Sequence, residues 1–150
     1  MSVEIYTDGS CHTQQCVGAW VAILLSENKK IVLSGKETDT THNRMELKAV
    51  IKALEYVRAN YINITSITVV SDSQYVVGLY SRKEKLVKQN FNTKAGAEIR
   101  NADLVKEFLL LGDNVRFVKI KAHQKKASEI NYNIEADVLV RKLMREIVVT

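Results

Sequence analysis

The sequence contains no proline and only two cysteines, Cys11 and Cys16, which lie close together. One such pair is too small for a disulfide framework, so we interpret both as reduced thiols of a cytoplasmic protein. No apolar run approaches the roughly 18 residues of a membrane span. The N-terminus also lacks a charged segment followed by an apolar one, which is the pattern of a secretory leader. These features predict a protein that neither crosses a membrane nor binds one.

Repeats, low-complexity tracts and linkers are also missing from the sequence. Its 150 residues, 46% of them hydrophobic, are enough to bury a core without disulfides or metals as staples. We therefore expect a single domain over residues 1–150, acting as a monomer.

Positive charge is concentrated in two segments of a chain whose formal net charge is +5. Residues 82–100 hold six Lys or Arg and two Glu, and residues 116–126 hold five Lys or Arg and no acid. The remainder is net acidic. This distribution is typical of a protein that holds a polyanion beside bound cations. The alternative is that these side chains only solvate surface helices.

Hydrophobic periodicity predicts an α/β fold. Alternation predicts strands at residues 3–7, 17–25 and 30–36, the last two joined by a hairpin turn at residues 26–29. Helical spacing predicts a helix over residues 43–60, capped by Thr40 or Thr41. The later elements are a strand at 64–70, a short helix from Ser73, an irregular basic segment, a helix at 101–111, a strand at 115–120 and a helix at 133–147. The prediction is a five-stranded mixed sheet, three antiparallel strands followed by two parallel ones, flanked by helices.

Four acids stand out because of where they fall: Asp8, Glu46, Asp72 and Asp137. Asp8 and Asp72 follow two predicted strands, and open α/β sheets bind ligands at the carboxyl ends of their strands, where the strand order switches. Glu46 and Asp137 lie near the starts of predicted helices. Carboxylates that converge out of water take up protons or bind cations, so their convergence predicts a metal site. Taken singly, each acid also fits a helix start or a turn.

The sequence around each acid strengthens this interpretation. The chain contains four blocks in order: YTDGSC at 6–11, NRMEL at 43–47, SDSQYV at 71–76 and NIEADVL at 133–139. Together they closely resemble the signature blocks of type 1 ribonuclease H, and the resemblance runs from residue 3 to about residue 143. It implies the ribonuclease H-like fold and an enzyme that hydrolyses the RNA strand of RNA/DNA hybrids.

The resemblance also implies roles for the acids. They would bind two Mg²⁺ ions, with Mn²⁺ able to substitute, and leave 5′-phosphate and 3′-hydroxyl ends. Asp8 would bridge the ions, Glu46 and Asp72 would lie on the leaving-group side, and Asp137 on the side of the attacking water. His123, in the block KAHQ at 121–124, matches a histidine thought to assist proton movement and product departure.

Substrate contacts are implied in the same way. Cys11, Asn43 and Gln74 would line the minor groove of the hybrid, with Cys11 and Gln74 nearer the RNA hydroxyls. Thr41 would help to hold a DNA phosphate. For Thr41 and Asn43 the alternative is helix capping.

Residues 82–94 occupy the place of a basic protrusion found in many bacterial members. Lys83, Lys85, Lys88 and Phe91 are the residues expected to contact the hybrid there. Leu86 and Phe91 stand where tryptophans are common, so we expect weaker hybrid affinity than in members with a denser protrusion.

Four further interpretations compete with this one. A member of the wider superfamily that includes integrases is disfavoured by the four blocks and His123, and an interaction protein with an acidic cleft makes no use of the basic segments. The other two are as follows. The first is a noncatalytic or weakly active hybrid-binding module of the same fold, which retention of all four acids disfavours. The second is a zinc site, which is disfavoured because the cysteines and histidines do not form paired ligand spacings. Those residues are Cys11, His12, Cys16, His42 and His123.

Overall fold

The computed structural model describes residues 1–121 and 131–148. Their strands form one five-stranded sheet in the order β3-β2-β1-β4-β5. The strands are β1 (Ser2–His12), β2 (Val17–Ser26), β3 (Lys29–Thr38), β4 (Ser66–Ser71) and β5 (Val115–Lys119). β1, β2 and β3 are antiparallel, whereas β4 pairs in parallel with β1 and with β5. The predicted mixed sheet is confirmed.

The β2–β3 hairpin turns within two residues. Ser26 pairs with Lys29, and Glu27 and Asn28 between them have φ values of 45° and 66°. Positive φ at both central residues is the signature of a type I′ turn, whose twist matches that of antiparallel strands. The turn predicted at residues 26–29 is therefore confirmed.

Helices connect and cover the strands within the described residues. They are α1 (His42–Asn60), α2 (Gln74–Ser81), α3 (Lys83–Lys88), α4 (Ala102–Leu111) and α5 (Tyr132–Ile147). Thr41 caps α1, because its hydroxyl oxygen accepts a hydrogen bond from the Arg44 N–H at 3.3 Å. None of these helices combines the length and apolar character needed to cross a membrane.

One prediction about the basic segment is wrong. It was expected to be irregular, but residues 83–88 form α3. Leu86 is the one buried residue of this helix, while Lys85 and Lys88 are exposed. A single buried position in six residues gives no helical periodicity, which is why the pattern of the sequence did not show it.

The helices form layers on both faces of the sheet. On β2, Ala22 and Leu24 belong to the main core with α1 and α4, while Val21 and Ile23 pack against Ala136 and Val140 of α5. Successive strand residues point to opposite faces, so a continuous apolar strand serves both layers.

The place of Asp8 differs from the prediction. Asp8 was expected to follow the end of the first strand, but β1 continues to His12 because β2 pairs with it along that whole length. The switch point is still present, since parallel pairing with β4 stops at Tyr6 and Val70. Asp8 therefore lies just beyond the paired stretch, where Asp72 follows the end of β4.

Candidate active site

Four elements carry the predicted acids to one cleft. Asp8 lies in β1, Asp72 directly follows β4, Glu46 lies near the start of α1, and Asp137 lies in the second turn of α5. All four line an open cleft of about 400 Å³. Residues from opposite ends of the sequence thus meet at the edge of the sheet where β1 and β4 separate.

Three of the acids are close enough to share a ligand. Asp8, Glu46 and Asp72 each offer a carboxylate oxygen, and these three oxygens all lie within 4.8 Å of one another. Glu46 is only 2% exposed and Asp8 only 9%. Asp137 lines the same cleft and forms an ion pair with Arg141, in which Arg141 Nη2 lies 3.1 Å from Asp137 Oδ2.

Burial and mutual repulsion raise the pKa of two of these acids, Asp8 and Glu46. Burial, followed by the charges of Asp72 and Asp137, raises the pKa of Asp8 to about 7, although the Gly9 N–H donates to its Oδ1 at 2.9 Å and opposes the rise. Burial also raises the pKa of Glu46 well above its usual value, with Asp8 and Asp72 adding to the effect. Ionising Asp8 and Glu46 together at neutral pH is therefore costly unless a cation offsets their charges.

The donor set suits a hard divalent cation. Glu46 Oε2 is buried and has no hydrogen-bond partner among the described residues. A buried carboxylate oxygen without a partner is costly unless a ligand satisfies it. Oxygen-only donors with solvent on the open side are what Mg²⁺ and Mn²⁺ prefer, so the residues present fit such an ion.

Comparison with known proteins identifies the family. The sequence matches the family model described as RNase H over residues 1–145. The chain belongs to the ribonuclease H family. A protein named Ribonuclease H from Caldicellulosiruptor saccharolyticus is 38% identical over 148 residues, covering 96% of this chain and 97% of that protein. Another of that name, from Ehrlichia canis, is 36% identical over 144 residues, covering 93% and 92%.

A solved structure supports the fold. It is described as LC9-RNase H1, a type 1 RNase H with the type 2 active-site motif. It matches with a TM-score of 0.79 at 21% identity and covers 98% of this chain and 74% of that chain. The predicted family and the ribonuclease H fold are both confirmed.

The residues expected in the minor groove lie around the carboxylates. Asn43 and Gln74 line the same cleft as the acids. Cys11 lies beside it, and its thiol donates to the Thr40 carbonyl at 3.4 Å. Both cysteines are free thiols, as expected. Thr41 caps α1, which is the alternative interpretation given for it above. Its contact with a DNA phosphate stays a prediction.

The structure does not bring the expected protrusion residues into the cleft lining. On α3, Lys83 forms an ion pair with Asp113 at 2.8 Å and lies over the Tyr80 ring. Phe91 packs partly buried against the core, with the Lys106 ammonium 5.2 Å from its ring centroid.

His123 lies outside the described residues, so its predicted role stays a prediction. The zinc alternative gains no support from the described part of the chain, where the group that could hold a metal consists of carboxylates alone.

Sequence patterns missed two side chains in the cleft. His42 places Nε2 3.4 Å from Glu46 Oε1, and Arg141 pairs with Asp137. Both pairs have i,i+4 spacing, which puts side chains on one face of a helix. That spacing was available in the sequence as a signal.

Proposed function

We propose that this ribonuclease H family member is an endoribonuclease that hydrolyses the RNA strand of RNA/DNA hybrids. The observation that carries the proposal is the convergence of one carboxylate oxygen each from Asp8, Glu46 and Asp72 within 4.8 Å of one another. Asp8 and Glu46 are buried, and Glu46 Oε2 lacks a hydrogen-bond partner among the described residues. Protein stability alone does not explain such an arrangement, because each added carboxylate raises the cost of ionising the others.

The residues that would hold metal are Asp8, Glu46, Asp72 and Asp137. Two divalent ions, Mg²⁺ or Mn²⁺ in its place, would activate a water at the scissile phosphate and stabilise the departing 3′ oxygen. Products with 5′-phosphate and 3′-hydroxyl ends follow from that chemistry.

The protein's own groups orient these carboxylates. The Gly9 N–H fixes Oδ1 of Asp8, and Arg141 holds Oδ2 of Asp137. In this proposal Asp8 lies centrally, Glu46 and Asp72 serve the leaving-group side, and Asp137 serves the side of the attacking water. His123 would assist proton movement and product departure.

Substrate choice would depend on contacts to both strands. Asn43 and Gln74 line the cleft, and with Cys11 they would read the minor groove, where RNA hydroxyls distinguish a hybrid from double-stranded DNA. Thr41 would hold a DNA phosphate. Lys83, Lys85, Lys88 and Phe91 would contact the hybrid beyond the cleft. We further propose a monomeric single domain over residues 1–150 that works in the cytoplasm.

The test is incubation of an end-labelled RNA/DNA hybrid with the protein in Mg²⁺, in Mn²⁺ and in chelator. Matched double-stranded RNA and double-stranded DNA serve as substrate controls. The proposal predicts metal-dependent cutting of the RNA strand of the hybrid alone, with 3′-hydroxyl products. Binding without cutting in either metal would favour the noncatalytic module instead.

A further inference from the structure

A second depression borders the carboxylate cleft, and we name it the β1–α5 groove. It has a volume of about 680 Å³. Its lining comes from the end of β1 and the second half of α5, and includes Ser10, Cys11, His12, Arg141, Met144 and Arg145. No acid contributes to this lining within the described residues.

The groove adjoins the cleft. Ser10 and Arg141 line both depressions and form the border that they share. Arg141 also pairs with Asp137, which places the start of the groove directly beside the acids. A polynucleotide strand that crosses the acids and leaves the cleft past Ser10 and Arg141 would enter the groove on one flank of the acids.

The chemistry of the groove suits a sugar-phosphate backbone. Arg141 and Arg145 lie one helical turn apart on α5, so their side chains share a face. The Arg145 side chain is exposed, and its guanidinium forms no ion pair or hydrogen bond with another described residue. Met144 of α5 and Cys11 of β1 add apolar surface to the lining. Guanidinium groups recognise phosphate, while apolar surface accepts sugar rings.

We propose that the β1–α5 groove binds the backbone of the cleaved strand on one flank of the scissile phosphate, with Arg145 contacting a phosphate there. The inference rests on the proposed function, because it takes the strand crossing the acids to be the RNA strand of a hybrid. It adds a subsite distinct from α3, whose lysines line neither the cleft nor the groove.

The chain offers a matched control for Arg145. Lys142 lies on the same helix, is exposed and carries the same charge, but it does not line the groove. Arg145→Ala and Lys142→Ala therefore remove one positive charge each from α5, and only the first removes it from the groove. Melting curves of both variants serve to check that each one folds.

The test is fluorescence anisotropy with two hybrids. In each, the cleaved strand contains a short ribonucleotide tract and is extended from that tract on one side only, the 5′ side in the first hybrid and the 3′ side in the second. Binding is measured in Ca²⁺ over a salt series. We expect Arg145→Ala to weaken binding about five- to tenfold for one of the two extensions, and to lower the salt slope by roughly one. Lys142→Ala and the other extension should change less than twofold, and Arg145→Glu should weaken binding further.

Three results would overturn the groove assignment. The first is that Arg145→Ala and Lys142→Ala weaken hybrid binding equally. The second is that Arg145→Ala weakens binding equally for both extensions. The third is that Arg145→Ala weakens binding of double-stranded DNA as much as binding of the hybrid, which would indicate a general anion surface. A wild-type protein that binds these hybrids but does not cut any hybrid in Mg²⁺ would contradict the proposed function. The comparison of hybrid binding between the Arg145 and Lys142 variants would still test the groove.

Discussion

Gly9 and Glu46 meet backbone to backbone. A Cβ atom at position 9 would lie 2.6 Å from the Glu46 nitrogen and 2.6 Å from the Met45 carbonyl carbon. Any side chain at position 9 would therefore push β1 and α1 apart. This contact sets the distance between Asp8 and Glu46, the two most deeply buried acids of the site.

Replacing Gly9 with alanine should damage both stability and the site. Atoms held in backbone cannot move aside cheaply, so we expect a loss of about 1–3 kcal/mol in the free energy of unfolding, together with a large loss of cleavage rate. Gly78→Ala is the control: its Cβ would meet only the flexible end of Gln74 at 3.4 Å. Alanine within that helix should stabilise by about 0.5–1 kcal/mol. Similar effects of the two substitutions would contradict the close-packing explanation.

The metal-free protein should become less stable as the pH rises from 4 to 7. The pKa of Asp8 is about 7 in the folded state, against an ordinary value of 3.8, so the folded state binds this proton more tightly. The resulting stabilisation is complete below pH 4 and disappears as the pH passes 7. The pKa of Glu46 is raised in the same direction. We expect a fall of roughly 2–4 kcal/mol across this window.

Chemical denaturation in chelator, at a series of pH values, measures this fall. Asp8→Asn cannot ionise and should lose much of the pH dependence, so it should be more stable than wild type at pH 7. Saturating Mg²⁺ should restore wild-type stability above pH 7. A wild-type stability profile that is flat between pH 4 and 7 would show that folding does not raise the pKa values of Asp8 and Glu46.

Sequence patterns predicted the five-stranded mixed sheet and drew attention to the four acids, because strands follow from local periodicity and the acids stand out by their position relative to strands and helix starts. They did not predict how deeply Glu46 is buried, because a glutamate at the edge of an apolar stripe ordinarily reaches solvent. Its burial results from Gly9 on another element. They also ended β1 too early, since alternation fades at Asp8 while pairing with β2 continues to His12. Long-range contacts of this kind leave no local pattern.

Arg44 links the start of α1 to the start of α4 through an ion pair. Its Nη1 and Nη2 donate to the two carboxylate oxygens of Asp103, each at 2.9 Å. The guanidinium also holds the pKa of Asp103 at about 2. Lysine cannot make this two-pronged contact, so Arg44→Lys should cost about 1 kcal/mol of stability, a small value because the pair is partly exposed. A double-mutant cycle with Asp103→Asn measures the coupling, and strictly additive effects would disprove it.

The lysines of α3 should contribute unequally to hybrid binding. Lys83 is already paired with Asp113, whereas Lys88 is exposed. We expect Lys88→Ala to lower the slope of log affinity against log salt by roughly one, and Lys83→Ala to change it less. With Leu86 buried and Phe91 packed on the core, overall affinity should be modest. Tight binding with a steep slope that survives both substitutions would contradict this prediction.

The most direct test of the central claim separates binding from cutting in Asp8→Asn. Hybrid affinity is measured in Ca²⁺, and single-turnover cleavage of the RNA strand in Mg²⁺, for wild type, Asp8→Asn and His123→Ala. The acids are predicted to supply metal-dependent chemistry, so Asp8→Asn should bind the hybrid within a few-fold of wild type but cut it on the order of 1,000-fold more slowly. His123→Ala should lose far less. Cleavage by Asp8→Asn within about tenfold of wild type would contradict the claim that the carboxylate cluster is the catalytic centre.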